Sequence, residues 1–505
     1  MMSKHRMRTV LMLVIVAGSL LLAGCNQPTA NNDSSKNEEA TTGAETGAKN
    51  EAAENQTTTA TWTLAKGWQM PVRVPSNYKQ DDWYDMGWET FIALNWPAQW
   101  TSWPKTGAPG GSGGQPNENA SITTARTPFP AVWQTYLTPD QVFLDKGADP
   151  GTWTAPNIQL TTKVDATGKT LPILGGFSKG VASPGEKKGE FNEATDNPLI
   201  AQDGNFVNFE MRMNQSEFTY LTHYKYYDAF NQQTATAKGG KIQPIPKTGT
   251  ESYLNLPEWA QQGATEIKAS WRIISNDQFA DRYFTMVAFR ELPDGTVDGP
   301  HLFGLVGLHI LRLTPNSGST WFWATFEQVD NVQIDESPVP AGLTPSFNPG
   351  TAPPYPTYAQ GFEYNGVPTP PPPVTIGLPL PALNPVNTSR IANAVQSGAV
   401  ASNKKYHALL ADTVWQYYQM IGVLNPGVSG SQYTVPPFNN PTNGDQLANT
   451  TMETYSQIDA SKPISCFSCH AGAYPVGAEL DKNGYPAVPG NQIFTFLFDD
   501  AQPSQ

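Results

Sequence analysis

The spacing of large apolar residues predicts one amphipathic helix near the start of the folded region. Between residues 81 and 94, Tyr84, Trp88, Phe91 and Ile92 recur at helical spacing, so they share one face. The run closes at Asn95-Trp96-Pro97, where the proline ends the pattern. We therefore predict a helix over 81–94 that buries this face.

From about residue 157 to residue 336 the pattern changes to short β-type runs separated by turn residues, which predicts a β-rich domain of sandwich-like form. The predicted strands cover 207–213, 218–226, 266–274, 283–289, 301–313 and 320–326. In 266–274, Ile267, Ala269 and Trp271 alternate with polar residues. We expect the polar side, with Glu266, Lys268 and Arg272, to form the solvent face or an ion-pair ladder.

The C-terminal part returns to helical spacing after a proline-rich stretch. Residues 338–387 predict a linker, in part of polyproline II form. Residues 389–423 favour a helix that Gly398 could interrupt, and 445–457 favour a second helix capped by Asp445. Residues 493–498 predict an edge strand or a docking segment. The fold class is therefore α+β: a large β-rich domain over 62–337 and a mainly helical module over 388–505.

The N-terminus has the order of an export signal. Lys4, Arg6 and Arg8 precede a short apolar run over 10–22 that is too short to span a membrane. The run ends in Leu22-Ala23-Gly24-Cys25, which resembles the lipobox of bacterial lipoproteins. The resemblance implies cleavage after residue 24 and a diacylglycerol anchor on Cys25. The alternative is an ordinary signal peptide with a chance cysteine.

Residues 25–61 follow the predicted cleavage site and are mostly small and polar. They cannot bury enough apolar surface to fold, so we predict a flexible tether. Asn26 follows the predicted lipidated cysteine, and the absence of Asp there favours the periplasmic face of the outer membrane over the inner membrane.

Close to the C-terminus, Cys466-Phe467-Ser468-Cys469-His470 has the C-x-x-C-H pattern of c-type haem attachment. Two thiols at this spacing can each add to a haem vinyl group, and the adjacent imidazole can reach the iron. The chain has 3 Cys, so once Cys25 is lipidated the two motif cysteines are the only thiols left. A dithiol redox motif or part of a zinc site are the alternatives.

Together the two motifs resemble those of uncharacterised bacterial lipoproteins of the cytochrome c family. The resemblance implies one covalent haem c on Cys466 and Cys469, with His470 as the proximal iron ligand. No Met or His follows His470, unlike in typical small cytochromes. A sixth ligand must therefore come from upstream, and Met452 is the favoured candidate. His407 and Met420, a histidine of the β-rich domain (His223, His301 or His309), or an open iron are the alternatives.

The charge and composition of the chain limit the kinds of binding partner that we expect. The formal net charge is −13, and loss of a basic signal would make the chain more acidic still. Such a chain is repelled by nucleic acid, so nucleic acid is not an expected partner, and the lipid anchor rather than surface charge would hold the protein at a membrane. The 45 Pro and 43 Gly suit a loop-rich exported protein.

The predicted function is electron transfer outside the cytoplasm by a membrane-anchored monohaem cytochrome with a periplasmic redox partner. The alternative is a haem-dependent periplasmic oxidoreductase with a substrate site in the β-rich domain. His309, Glu327 and Asp330 could form a carboxylate–imidazole site there. A buried aromatic strand, a core histidine and a turn at Asp330-Asn331 explain the same residues without a site.

Overall fold

The protein is described from a computed structural model, in which the described residues belong to a compact unit that extends from Thr61 to Gln505. The described residues are 62–71, 80–100, 113–122, 130–156, 162–174, 199–274, 279–291, 296–315, 321–332, 340–348, 363–364, 367–368, 385–388, 390, 395–424, 447–454, 466, 470, 472–481, 486–488, 490–491 and 493–504. The predicted signal peptide, Cys25 and the tether lie outside them.

The α-helices of the described residues are α1 (Gln80–Leu94), α2 (Gln215–His223), α3 (Ala229–Thr236) and α4 (Ser397–Leu409). Helix α1 confirms the first prediction. Asp81 and Asp82 stand in its first turn, where carboxylates stabilise the helix dipole. Its apolar face is buried, with Trp88 and Phe91 fully shielded from water.

The strands of the described residues are β1 (Gly151–Thr152), β2 (Ala155–Pro156), β3 (Thr162–Val164), β4 (Thr170–Leu174), β5 (Asn208–Met213), β6 (Thr265–Ile273), β7 (Thr285–Glu291), β8 (Val297–Arg312), β9 (Phe322–Gln328), β10 (Glu363–Tyr364), β11 (Val367–Pro368) and β12 (Tyr418–Leu424). Strands β3 to β9 and β12 form one eight-stranded sheet, while β1–β2 and β10–β11 are small hairpins. The sheet is mixed, because β4 and β7 run parallel and its other pairs antiparallel.

Strand β8 is the centre of the sheet. Along one edge it pairs with β6, and along the opposite edge it pairs first with β7 and then with β9. Its sequence is apolar on both sides towards its C-terminal end, as expected for a strand covered on both faces. The predicted strands at 207–213, 266–274, 283–289, 301–313 and 320–326 are thereby confirmed.

One face of the sheet, which we call the helix face, packs against α1. Phe326 stacks on Phe91 with ring centroids 4.2 Å apart and lies 5.0 Å from the Trp88 ring. Ile267 and Leu308 belong to the same buried cluster. This cluster is the largest part of the core of the described residues.

The opposite face, which we call the C-terminal face, is covered by residues 447–454 and by the described residues between 466 and 495. Hydrogen bonds join Ser270 to Thr451 (2.7 Å) and Asn449 to Thr325 (2.9 Å). The ring of Trp323 lies 5.8 Å from that of His470. The predicted solvent face of β6 is therefore wrong: Glu266 is 3% exposed and Arg272 7% exposed, because the C-terminal residues and the loop with Tyr283 cover this side.

Three predicted elements are corrected. Residues 218–226 are not a strand, because α2 occupies most of them. Asn214 caps the start of this helix, and its side chain accepts a hydrogen bond from Glu217 N–H. Residues 418–424 are strand β12, paired with β9, and not the end of a helix. Residues 447–454, inside the predicted second helix, form hydrogen-bonded turns.

Gly398 lies within α4 and does not interrupt it. A Cβ atom at this position would stand 2.2 Å from Cε2 of Tyr84, so the missing side chain lets α4 approach α1 closely. Residues 493–498 are also not a strand: they enter a short 3-10 helix at Leu497–Asp500 and dock on the C-terminal face.

Helix α4 covers the free edge of β12 through two amide side chains. Asn403 donates to Met420 O and accepts from Met420 N–H, both at 2.9 Å. Gln396 bonds Val423 N–H and O in the same way, at 2.9 and 3.0 Å. The edge strand is thus satisfied without a further strand, which removes a site of strand-to-strand aggregation.

The fold is α+β with a β-rich region. The mainly helical character predicted for 388–505 is not confirmed, because the described part of that range holds one α-helix and one strand of the central sheet. The described stretches of the proline-rich range at 340–348 and 385–388 bond to residues 199–206 and 330–331. Within the described ranges, no helix is both long enough and apolar enough to cross a bilayer.

Candidate haem-attachment site

His470 is held by the backbone of the C-terminal segment. Its Nδ1 lies 2.9 Å from the carbonyl oxygen of Phe494. The rings of Phe496 and Trp323 pack edge-on against the imidazole, with centroids 5.1 and 5.8 Å away. Donation from Nδ1–H to a carbonyl selects the tautomer with a bare Nε2, which is the form that binds a metal.

Cys466 stands four residues before His470, and both have helical backbone conformation. Its side chain is partly buried against an apolar cluster that includes Leu311, Trp323 and Phe494. Trp323 and Phe494 are also the neighbours of His470, so the structure brings these two motif residues to one apolar surface. Cys469 lies outside the described residues.

The segment that carries Phe494 is fixed to the sheet on both sides. Trp321 donates its indole N–H to Ile493 O at 2.7 Å, and Ile493 N–H reaches Ala473 O at 3.2 Å. The Thr495 side chain hydrogen-bonds Glu266 on β6. Because backbone and side chains are anchored together, the carbonyl that orients His470 has little freedom to move.

Met452 is fully buried, but in a different cluster, with Val207, Val306 and Phe347 among its members. The neighbouring Thr451 sits over Gly307, where a Cβ atom would come within 2.3 Å of its hydroxyl. His470 instead neighbours Trp323, which pairs with Leu311. Four residues of strand separate Gly307 from Leu311, roughly 13 Å.

Met452 and His470 therefore lie over different parts of β8, and the role of Met452 as a distal ligand stays a prediction. His407 and Met420 lie on the helix face, where His407 bonds Tyr418 O at 2.7 Å and burial lowers its pKa. His309 shares the C-terminal face with His470 and lies 3.4 Å from Glu453. His223 stacks on Tyr253, and His301 bonds Asp298.

The predicted carboxylate–imidazole site does not assemble. Glu327 is paired with Arg390 and accepts hydrogen bonds from Thr450. Asp330 accepts two bonds from Arg282, at 2.6 and 2.7 Å, and lies in the predicted turn.

Glu327 and Asp330 are therefore each paired with an arginine, and His309 lies next to a different carboxylate, that of Glu453. Although burial by itself raises the pKa of Glu453, His309, the Asn449 N–H and Lys268 hold it below the usual value. Within the described ranges, no three His, Cys, Asp or Glu side chains are grouped to hold a metal ion. The Glu327–Arg390 pair and the His309–Glu453 contact fasten the C-terminal part of the chain to the sheet, and the Asp330–Arg282 pair joins the turn after β9 to the 3-10 turn before β7.

Sequence reasoning missed the residues that surround His470. The pattern at 493–498 predicts an edge strand or a docking segment but not the surface on which it docks, and the aromatic density at 321–326 does not indicate that one ring faces the motif. The signal that was available is the alternation in β9, which places Trp321, Trp323 and Thr325 on one face. Nothing in the sequence shows which segment covers that face.

Comparisons of the chain with protein-family models, with curated proteins and with solved structures found no match.

Proposed function

We propose that the protein is an exported monohaem c-type cytochrome that transfers electrons outside the cytoplasm and is tethered to a membrane by a lipid on Cys25. Cys466 and Cys469 would hold the haem covalently, and His470 would be its proximal iron ligand. The C-x-x-C-H pattern and the order of the N-terminal signal support this proposal.

The observation that carries the proposal is the hydrogen bond from His470 to Phe494 O. Metal-ligating histidines nearly always donate their other ring N–H to a carbonyl or carboxylate, which fixes the ring and raises its basicity. The surrounding Trp323, Phe496 and partly buried Cys466 supply the apolar surface that a porphyrin needs. The residues present therefore fit a covalent haem.

When bound, the haem supplies one-electron chemistry at the iron, and its axial ligands and burial set the reduction potential. This chain's own contribution is to orient the imidazole through Phe494 and to exclude water through the aromatic rings of β9 and the C-terminal segment. A sixth protein ligand would leave no open position, so the protein would pass electrons without binding substrate. Met452 is the candidate from the sequence.

The first test is to express the full chain together with a c-type haem maturation system. The purified protein should carry covalent haem that survives denaturation, with a pyridine haemochrome spectrum of c type. Replacing both motif cysteines, as Cys466→Ser with Cys469→Ser, should abolish attachment. Wild-type protein without covalent haem would overturn the proposal.

His470→Ala should leave covalent haem in place but change the ferric spectrum, because the proximal nitrogen is lost. Lys404→Ala, at an exposed position of α4, provides the control and should keep the wild-type spectrum. An unchanged spectrum in His470→Ala would contradict the assignment of the proximal ligand.

Met452→Ala tests the sixth position. If Met452 ligates the iron, this variant loses the weak sulfur-to-iron absorption at the red end of the ferric spectrum; an identical spectrum would exclude Met452 as a ligand.

A reduced wild-type protein whose spectrum does not change when CO is added supports electron transfer. High-spin ferric haem that binds CO once reduced favours the alternative, a haem-dependent oxidoreductase.

A further inference from the structure

We propose that Glu217 and Glu266 form a proton-accepting pair that takes up a proton when the haem held by His470 is reduced. The inference rests on the proposed function and adds to it a coupling between electron and proton transfer. It starts from two buried carboxyl groups that the haem site itself does not use.

The two carboxyls face each other in the core. Glu217 lies on α2 and is 0% exposed, and Glu266 lies on β6 and is 3% exposed. Within the described part of the chain, no cation pairs with either of them. Two buried carboxylates side by side without a counterion cannot both be ionised, so the pair retains at least one proton near neutral pH.

Burial, followed by the neighbouring Glu266, raises the pKa of Glu217 well above its usual value. Burial also raises the pKa of Glu266, to about 7, although hydrogen bonds from Thr495 and Glu217 oppose the shift. The pair is therefore poised to gain or lose a proton near neutral pH. Groups with this property occur mainly at functional sites.

Thr495 links the pair to the candidate haem site. Its side chain bonds Glu266, and its backbone neighbour Phe494 orients His470 through the carbonyl oxygen. On the sheet, Glu266 pairs with Leu311, which in turn pairs with Trp323 under the His470 ring. Glu266 and the imidazole are thus both contacted by the same short segment on the C-terminal face.

Other charged and titratable groups lie near the pair on α2, on β6 and β8, and on the C-terminal segment. Tyr220 stands one turn after Glu217 on α2, and the Glu217 carboxyl adds to the elevation of its pKa, which burial dominates. Lys268 on β6 lies two residues after Glu266 and pairs with His309 on β8, and both groups lower the pKa of Glu453. Asp499 and Asp500 follow the segment that carries Thr495.

The coupled step conserves charge. One electron from an external donor would reduce the haem iron from the ferric to the ferrous state and so add one negative charge to the site. One proton from water then binds the ionised carboxylate of the pair, and a single O–H bond forms. On oxidation the electron leaves to an acceptor, and the proton returns to water.

The test is a spectroelectrochemical titration of the full-length holoprotein at several pH values, with dithionite as reductant and ferricyanide as oxidant. The wild-type midpoint potential should fall as pH rises through about 7, the pKa of Glu266. The double variant Glu217→Gln with Glu266→Gln should show a flat potential over the same interval. Glu258→Gln, an exposed carboxylate, is the matched control and should keep the wild-type slope.

A wild-type potential that does not change with pH, or a double variant that retains the slope, would overturn the inference while leaving the haem assignment intact. Absence of covalent haem would overturn the proposed function and this inference together. If the double variant fails to fold, redox-difference infrared spectroscopy on the wild type decides. Reduction should then increase absorption by protonated carboxyls, and no change in that region would refute the coupling.

Discussion

Arg390 and Glu327 form an ion pair that is almost fully shielded from water. The Arg390 side chain is 9% exposed and the Glu327 side chain 0% exposed, and the guanidinium bonds both carboxylate oxygens. Thr450 N–H and its hydroxyl also donate to Glu327, each at 2.6 Å. Removing one member would leave a buried charge without a partner, which costs far more than the pair itself gains.

Arg390→Met should therefore lower the free energy of unfolding by about 3–5 kcal/mol. Lys405→Met is the matched control, because Lys405 pairs with Asp85 at 2.7 Å but is half exposed. That variant should change stability by less than about 1 kcal/mol. Chemical denaturation followed by tryptophan fluorescence measures both, and equal effects would contradict the role assigned to burial.

At the scale of elements, the contact between α4 and β12 joins the C-terminal part of the chain to the central sheet. The Asn403 carboxamide bonds both Met420 backbone groups, and its oxygen also accepts from the Trp88 indole at 3.1 Å. One side chain thus connects α1, α4 and β12. The loss of this amide leaves three buried polar groups without partners.

Asn403→Ala should destabilise the protein by about 2–4 kcal/mol, since each unsatisfied buried group costs on the order of 1–3 kcal/mol. The Met420 amide should also exchange with solvent deuterium faster than in the wild type. Lys404→Ala, at the neighbouring exposed position, serves as control and should alter neither quantity. Unchanged protection of Met420 would show that the helix does not cap this edge.

Elements with regular alternation or a single apolar face were predictable from the sequence. Helix α1 follows its pattern because it has a single apolar face, and strands β5 to β9 were predicted from alternation or from β-type residues between turn residues. Strand β12 was predicted as helix, because a short apolar run buried on both sides has no period that distinguishes the two. For α2, the Asn214–Glu217 spacing is a helix-start signal that the aromatic content of 218–226 outweighed.

The candidate site was predictable only in part. Cys466 and His470 are named by their motif, and the structure places them on one apolar surface. Phe494, Trp323 and the Glu217–Glu266 pair were not predictable, because they meet through tertiary contacts between distant segments. Glu266 in particular was assigned to a solvent face, since alternation in a strand does not reveal whether a second layer covers its polar side.

For the whole molecule, the buried carboxyl pair determines how stability depends on pH. The pKa of Glu266 rises from 4.5 to about 7 on folding, and burial raises the pKa of Glu217 well above its usual value. The folded state therefore binds more protons than the unfolded chain above pH 4.5, so stability falls as pH rises from there through about 7. Glu89, whose pKa burial raises to about 7, acts in the same direction, and His407 acts in the opposite one.

Comparison with Glu266→Gln isolates the contribution of Glu266, because the other titratable groups, apart from its partner Glu217, have the same surroundings in both proteins. Wild-type stability should fall relative to that of the variant by an amount on the order of 3 kcal/mol between about pH 5 and about pH 8. Guanidinium unfolding of the haem-free proteins at both pH values measures the difference. A difference that stays constant, or that grows in the opposite sense, would contradict a raised pKa for this carboxyl.

The half-buried position of Cys466 has a consequence for the order of events during biogenesis. The apolar cluster that it packs against includes Leu311 on β8 and Trp323 on β9, which both precede the motif in the chain. If the chain is exported as proposed, the central sheet, whose last strand ends at Leu424, can start to form while residues 466–470 are still crossing the membrane. Once the C-terminal segment docks, the thiol is shielded. The proposed haem attachment would then compete in time with docking, and slower docking would lengthen the interval in which an attachment enzyme could reach the thiol.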